Sequence, residues 1–409
     1  MSDVELLDPS LYVDGFPHDR YAELRRQGPV HRHRSTVVAS PLSGVEEHMG
    51  FWCVLGHPEI QQINRDWRTF SAWHGPTIPR QPPGGAGLLG VDPPDHHRLR
   101  HLVSAGFTPR MISRLEDRIG YWVDRLVDQF DQGEIEFVSA LGYPLPMHVI
   151  ADIIGIPEAD RPWVFERTQL VLDGLDPTRS AQQAEQQAAQ VELFGYAHEL
   201  GVEKRQRPTD DVWSTLIAAR YATADGETSL EEIEVDLFFL ILSIAGSETT
   251  RTALSSGLLG LGRQPEQLDR LRHDPDLFAT LPDEILRFTS PVLAFGRDCE
   301  STTEVAGVTI EAGERVVLFH PSGNRDERVF DTPDRIDVGR DPNPHVAFGG
   351  GGPHYCLGAN LAKREILVLF QRLIDRFDRI ELAGEPTWVG PGPISNVGCH
   401  VEHLPVRLG

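Results

Sequence analysis

A single cysteine, Cys356, stands between a run of four glycines at 349–352 and an apolar, helix-forming stretch, LGANLAKREILVLFQRL. A sulfur at a helix N-terminus is favoured as the thiolate, because unsatisfied N–H groups and the helix dipole lower its pKa. Glycines ahead of it let the backbone take positive φ and pass close to a flat ligand. The spacing therefore predicts a buried, ionised sulfur bound to a metal. A glycine-rich linker before an ordinary buried cysteine would read the same way. A second set of reactive side chains lies in AGSETT at 245–250, inside a long apolar run. Ser, Thr and Glu are unfavourable in mid-helix unless partnered, so a kink there would free backbone groups to hold water or a small ligand. Glu248 beside Thr249 puts a carboxylate next to a hydroxyl, a means of passing protons to a buried acceptor. A polar stripe against a neighbouring helix would carry the same residues.

Two further sets are electrostatic. Glu284 and Arg287, in EILR, are one helical turn apart and share a face. A surface pair of that kind is worth ~0–1 kcal/mol. Arg335, in DTPDRID just before the cysteine loop, would instead make it a buried three-membered lock. His96 and Arg100 are four apart and face one way; with Arg297 and His354 they supply donors for two buried carboxylates on a ligand. His97 and His101 repeat that spacing, but no third zinc ligand is apparent, and catalytic zinc needs three.

The scaffold that must hold these residues is 409 residues long, enough to enclose a cofactor in a large core. No linker, internal repeat or shift in composition divides it, so a single domain over 1–409 is expected. A formal charge of −23 speaks against nucleic acid and anionic membranes as partners. Four scattered cysteines (Cys53, Cys299, Cys356, Cys399) without CxxC spacing point to a reducing compartment rather than a disulfide framework. The acidic, Pro- and Gly-broken N-terminus is no signal peptide or anchor, and the longest apolar run, 237–244, is too short to span a bilayer. A cytoplasmic protein without a membrane anchor is expected.

Helical periodicity appears at 18–27, from Asp95 onward, and in alternating segments to about Tyr221. Residues 30–34 and 51–55 read as strands, and 70–94 as a Pro- and Gly-rich loop. The hydrophobic centre is 233–261, apolar nearly all round, a helix of more than ~40 Å. A β-rich part, an irregular stretch at 324–344 and short strands from Arg379 complete the chain. The class is mainly α with a small β part.

Taken jointly and in order, AGSETT, EILR, NRDERVFDTPDRID and FGGGGPHYCLG resemble the haem-thiolate monooxygenases of the cytochrome P450 family, soluble bacterial type. The resemblance runs from about Pro17 to the end and implies a single triangular fold with a long central helix over a buried haem b. It implies that Cys356 is the axial thiolate to the iron and that Glu248 and Thr249 are the acid–alcohol pair of oxygen activation. It makes Glu284, Arg287 and Arg335 the structural triad. His96, Arg100, Arg297 and His354 match the positions that bind haem propionates, and Phe348 the aromatic beside the thiolate. Ala245, Gly349 and Gly358 complete the cofactor contacts. Glu248 stands where aspartate is usual, and the cysteine loop is one residue longer than the commonest bacterial form. That longer loop is most similar to the actinobacterial subgroup that oxidises sterol side chains and methyl-branched lipids. Pocket walls by that resemblance are the loop 76–89, Phe239, Leu242, Ser243, Ala245, the segment 292–295 and Ile394.

A thiolate donates electron density to iron and favours O–O cleavage. No GxGxxG follows a strand, so the chain has no flavin or nicotinamide site of its own by this measure, and electrons are expected from a ferredoxin and its ferredoxin reductase. The expected reaction inserts one atom of O2 into an apolar substrate: a sterol, terpenoid, branched lipid or polyketide-like molecule. A peroxide-driven peroxygenase and a non-catalytic haem-binding auxiliary protein are the other two readings.

Overall fold

One helix, α9 (Glu232–Gly262), runs 31 residues through the middle of the molecule. The computed structural model describes residues 4–34, 36–39, 46–84, 87–104, 109–173, 183–223, 226–389 and 399–409. α9 begins with a capping box, Glu231 and Glu234 satisfying each other's backbone N–H groups. It has no break at AGSETT, where Thr249 Oγ1 donates to the Ala245 carbonyl at 2.7 Å and Ser247 Oγ to that of Ser243 at 2.5 Å. Hydroxyls that bond back to i−4 are satisfied within the helix.

Before α9 come α1 (His18–Gln27), α2 (His57–Arg65), α3 (Asp95–Ser104), α4 (Pro109–Val127), α5 (Pro144–Ile154), α6 (Arg161–Asp173), α7 (Gln183–Gln206) and α8 (Val212–Ala218), of which α5, α6 and α7 pack against it. Following it are α10 (Pro265–His273), α11 (Leu281–Thr289), the single turn α12 (His320–Gly323) and α13 (Ala359–Arg376). Small residues set the closeness of approach. A Cβ on Gly246 would lie 2.5 Å from Ile150 of α5, and one on Gly257 2.8 Å from Ile285 of α11. Buried Phe238 and Phe239 meet Trp213 of α8, each such side chain stabilising by ~1.5–3 kcal/mol.

Strands are few and serve as platforms. A five-stranded sheet has the order Val30–Arg32, Trp52–Val54, Arg315–Phe319, Ala294–Cys299, Phe70–Ser71. Its fourth strand carries Arg297, opposite Val316 in the register. Near the C-terminus, Pro405–Leu408 pairs with both Ile380–Leu382 and Gly133–Glu136. The hairpin of Thr387–Val389 and His400–His403 lies against α9. The architecture is mainly helical with small sheets. Among the described residues no helix is long and apolar enough to cross a membrane.

Candidate active site

The cysteine loop is built backward from its neighbours. Cys356 lies just before Gly358, the N-cap of α13, and its N–H donates to the Phe348 carbonyl at 3.2 Å. Gly349–352 all have positive φ. Two of these glycines make their tight contacts with α2, a Cβ on Gly352 falling 2.1 Å from the Asn64 carbonyl oxygen and one on Gly351 2.8 Å from Arg65, while one on Gly350 would fall 2.9 Å from Val346 and 3.0 Å from Gln61 of α2. Asn64 Nδ2 donates to the Gly349 carbonyl at 2.7 Å. The glycines thus let the loop lie flat on α2, while Gly358 would place a Cβ in open space.

Sequence reasoning expected a buried sulfur with a lowered pKa; the structure corrects both points. Cys356 is solvent-accessible, although protein surrounds it closely enough to cost it solvation. Loss of solvation there pushes its thiol above the ordinary value, and the Gly358 N–H and Arg100 pull it down by less. The helix terminus alone does not outweigh that loss; a bound metal cation would favour the thiolate.

The four expected donors come together. The rings of His96 and His354 lie 4.3 Å apart, and both nitrogens of buried His96 and Nε2 of His354 make no hydrogen bond to protein. Burial, with the Arg297, His96 and Arg100 charges, pushes His354 down to about 2; burial and Arg100 push His96 down to about 4. Burial and nearby Arg315 bring Arg297 down to about 10, and burial lowers Arg100 against the pull of Cys356. Buried donors that depress one another in this way form a receptacle for anions.

On α9, Ala245 is exposed and Leu242 and Thr249 are partly so, at i, i+3, i+7 along one face. Val292 and Phe295 also keep accessible surface, whereas Leu293 and Ala294 turn into the core. Phe239 is fully buried among Tyr196 and Trp213 and so is not a pocket wall; Ile394 lies outside the described residues. Farther along α9 is an apolar recess lined by Leu88, Leu99, Val103, Leu237 and Ile241.

Glu248 is buried and faces away from that surface. Arg251 Nη2 donates to its Oε1 at 2.5 Å, and His400 Nδ1 lies 3.3 Å from the same oxygen; Oε2 has no protein partner. The i+3 spacing to Arg251 was visible in sequence, but nothing local announced His400. The Glu284–Arg287 pair is fully buried, at 2.7 Å. Its third member is Arg340, whose Nε donates to Glu284 at 3.0 Å, and not Arg335. The Arg335 side chain pairs with Glu266 on the surface, and only its carbonyl accepts from Arg287. Arg287 also donates to the Asn324 carbonyl, and Asn324 Oδ1 accepts from Val346 N–H at 2.7 Å, joining the lock to the cysteine loop.

The Cytochrome P450 family model matches residues 280–387. A steroid C26-monooxygenase of Mycolicibacterium smegmatis is 33% identical over 97% of this chain and 92% of its own. A methyl-branched lipid omega-hydroxylase of Mycobacterium bovis is 36% identical over 94% and 91%. A Mycobacterium marinum cytochrome P450 in complex with pseudoionone has a TM-score of 0.87 and 32% identity over 100% of both chains. The chain belongs to the cytochrome P450 family.

A P450 implies haem, and the residues present fit it. Two buried histidines have unpartnered nitrogens beside two arginines, as two carboxylates on a ligand require. Cys356 offers an accessible sulfur. The small Ala245 leaves the middle of α9 accessible.

Proposed function

We propose that this P450, a single domain working in the cytoplasm, inserts one oxygen atom from O2 into an unactivated C–H bond of a sterol side chain or a methyl-branched lipid. Electrons come from a ferredoxin and its reductase. The observation that carries the reading is the convergence of His96, Arg100, Arg297 and His354 with the accessible Cys356 sulfur. Haem b, when bound, supplies the redox-active iron at which dioxygen is activated. Cys356 would hold the iron, with Phe348 packed beside it and Gly349 and Gly358 leaving room. His96, Arg100, Arg297 and His354 would hold the propionates.

The other groups orient, exclude water and move protons. Leu242, Val292 and Phe295 present hydrocarbon to the substrate, which suits a ligand with little hydrogen-bonding capacity. Thr249, its proton committed to the Ala245 carbonyl, has lone pairs left to accept a proton relayed from Glu248. Glu248 stores that proton: its Oε2 is the oxygen without a partner. The substrate class follows the two named relatives, and the longer cysteine loop supports it.

The test is spectroscopic and then chemical. Reduced protein treated with carbon monoxide should absorb where thiolate ligation places the band, and should lose that band in Cys356→Ala. Among sterols, methyl-branched fatty acids, terpenoids and macrolides, the first two classes should shift the haem spectrum and gain one oxygen atom from labelled O2. A thiolate band retained in Cys356→Ala, or binding confined to macrolides, would contradict the reading.

A further inference from the structure

Among the described residues Glu248 has two partners, and they differ in kind. Arg251 lies one turn along the same helix, with its guanidinium 5.9 Å from the Tyr143 ring. His400 comes from the C-terminal hairpin, 152 positions away, and opens the strand that lies against α9. Side-chain exposure rises from 2% at Glu248 to 9% at Arg251 and 16% at His400. The imidazole is thus the member of the cluster with most contact with solvent. Arginine stays protonated throughout the working range and cannot pass a proton on. Imidazole both gives and takes one near neutral pH. Both partners meet Oε1, leaving Oε2 unpartnered in a buried carboxylate. An unmet oxygen on a buried carboxylate beside a titratable partner calls for an explanation.

We propose that His400 is the proton inlet to Glu248, the residue through which solvent protons enter the distal side of the site. This rests on the reading of Glu248 as the acid of the oxygen reaction. In the step, the Nδ1–H bond of the His400 imidazolium breaks and an O–H bond forms on Glu248. Two opposite charges become a neutral imidazole and a neutral carboxyl. The carboxyl hands its proton on toward Thr249 and returns to the carboxylate. The imidazole turns outward, takes the next proton from water or a buffer acid, and turns back. No electron changes hands in the cycle.

The test uses the haem-loaded full chain with a surrogate ferredoxin and reductase. His400→Gln keeps an N–H donor for Glu248 but cannot carry a proton through. O2-driven kcat should fall roughly tenfold, short of the ~10²–10⁴ of a directly acting acid, with KM unchanged and a larger solvent deuterium isotope effect. Turnover driven by added hydrogen peroxide, which brings its own protons, should not change, nor should the carbon-monoxide spectrum. A readout independent of turnover is nitrogen NMR of histidine-labelled protein: one Nδ1 resonance, absent in His400→Gln, should move in Glu248→Gln. Normal O2-driven turnover in His400→Gln, an equal fall in the peroxide-driven rate, or no histidine resonance sensitive to Glu248→Gln would overturn the proposal. If Glu248→Gln is slow while His400→Gln is normal, the inlet alone fails. If both turn over normally, the role of Glu248 fails as well.

Discussion

Two buried glutamates, Glu284 and Glu248, each sit three residues before an arginine on a helix, yet their surroundings have been built to opposite ends. Glu284 receives Arg287 through both oxygens at 2.7 and 2.8 Å, Arg340 at 3.0 Å, Asn343 at 3.1 Å and the Asp337 N–H at 2.8 Å. Arg287 spends its remaining donors on the carbonyls of Asn324, Pro333 and Arg335. Nothing there is free to change state. Glu248 has two partners on one oxygen and none on the other. Burial of a charge is tolerable when every lone pair is met and costly when one is not. Full satisfaction suits a device that fixes the cysteine loop; in the proposed relay the unmet oxygen of Glu248 is the one left to take a proton. Glu365 on α13 extends the series: it is buried, its Oε2 has no partner, and burial alone pushes it up to about 8.

The comparison breaks most visibly at the lock. Arg287→Ala leaves Glu284 with Arg340 as its charged partner, and loss of one member of a buried pair costs ~3–5 kcal/mol. The denaturation midpoint should collapse and haem loading with it; a stable, fully loaded variant would show the pair to be dispensable. Glu365 tests the other extreme. Its carboxyl is neutral in the folded protein up to about pH 8, whereas the unfolded chain ionises near 4.5. The folded form binds the extra proton, so the associated stability is complete below pH 4.5 and is lost as pH rises toward 8. By pH 7 the loss is about 3 kcal/mol. Glu365→Gln should flatten that slope in urea titrations at pH 5 and 7, and an unchanged slope would mean that Glu365 is solvated. A smaller effect separates the two candidate third members of the lock. Arg340→Ala removes a charged hydrogen bond to Glu284, worth roughly 1.5–3 kcal/mol. Arg335→Ala breaks an exposed pair worth ~0–1 kcal/mol. Equal losses in thermal unfolding would remove the distinction.

Most of this site was legible because its chemistry is local. Cys356 with its glycines, Glu248–Thr249, and the i, i+3 and i, i+4 pairs are read along a few residues. The long α9 announced itself through apolar residues on every face. What was misread depends on chain returning from far away. Both Arg335 and Arg340 lie in an irregular stretch without periodicity, and the fold alone decides that Arg340 turns inward. His400 reaches Glu248 across 152 positions by the pairing of a hairpin. The pKa of Cys356 was misjudged because the helix terminus acts locally, whereas desolvation depends on everything packed around the sulfur.

The contrast between a satisfied and an unsatisfied carboxylate is tested most directly by the ratio of hydroxylated product to electrons consumed in Thr249→Ala, with hydrogen peroxide assayed alongside. The variant keeps Cys356, the four proposed propionate donors and Glu248, and removes only the hydroxyl that the proton from Glu248 must reach in the proposed relay. Electron consumption should continue, product should fall several-fold, and the missing oxygen should appear as hydrogen peroxide, while substrate affinity read from the haem spectrum stays the same. Unchanged coupling in Thr249→Ala, together with efficient turnover on added peroxide, would contradict the relay and make this P450 a peroxygenase.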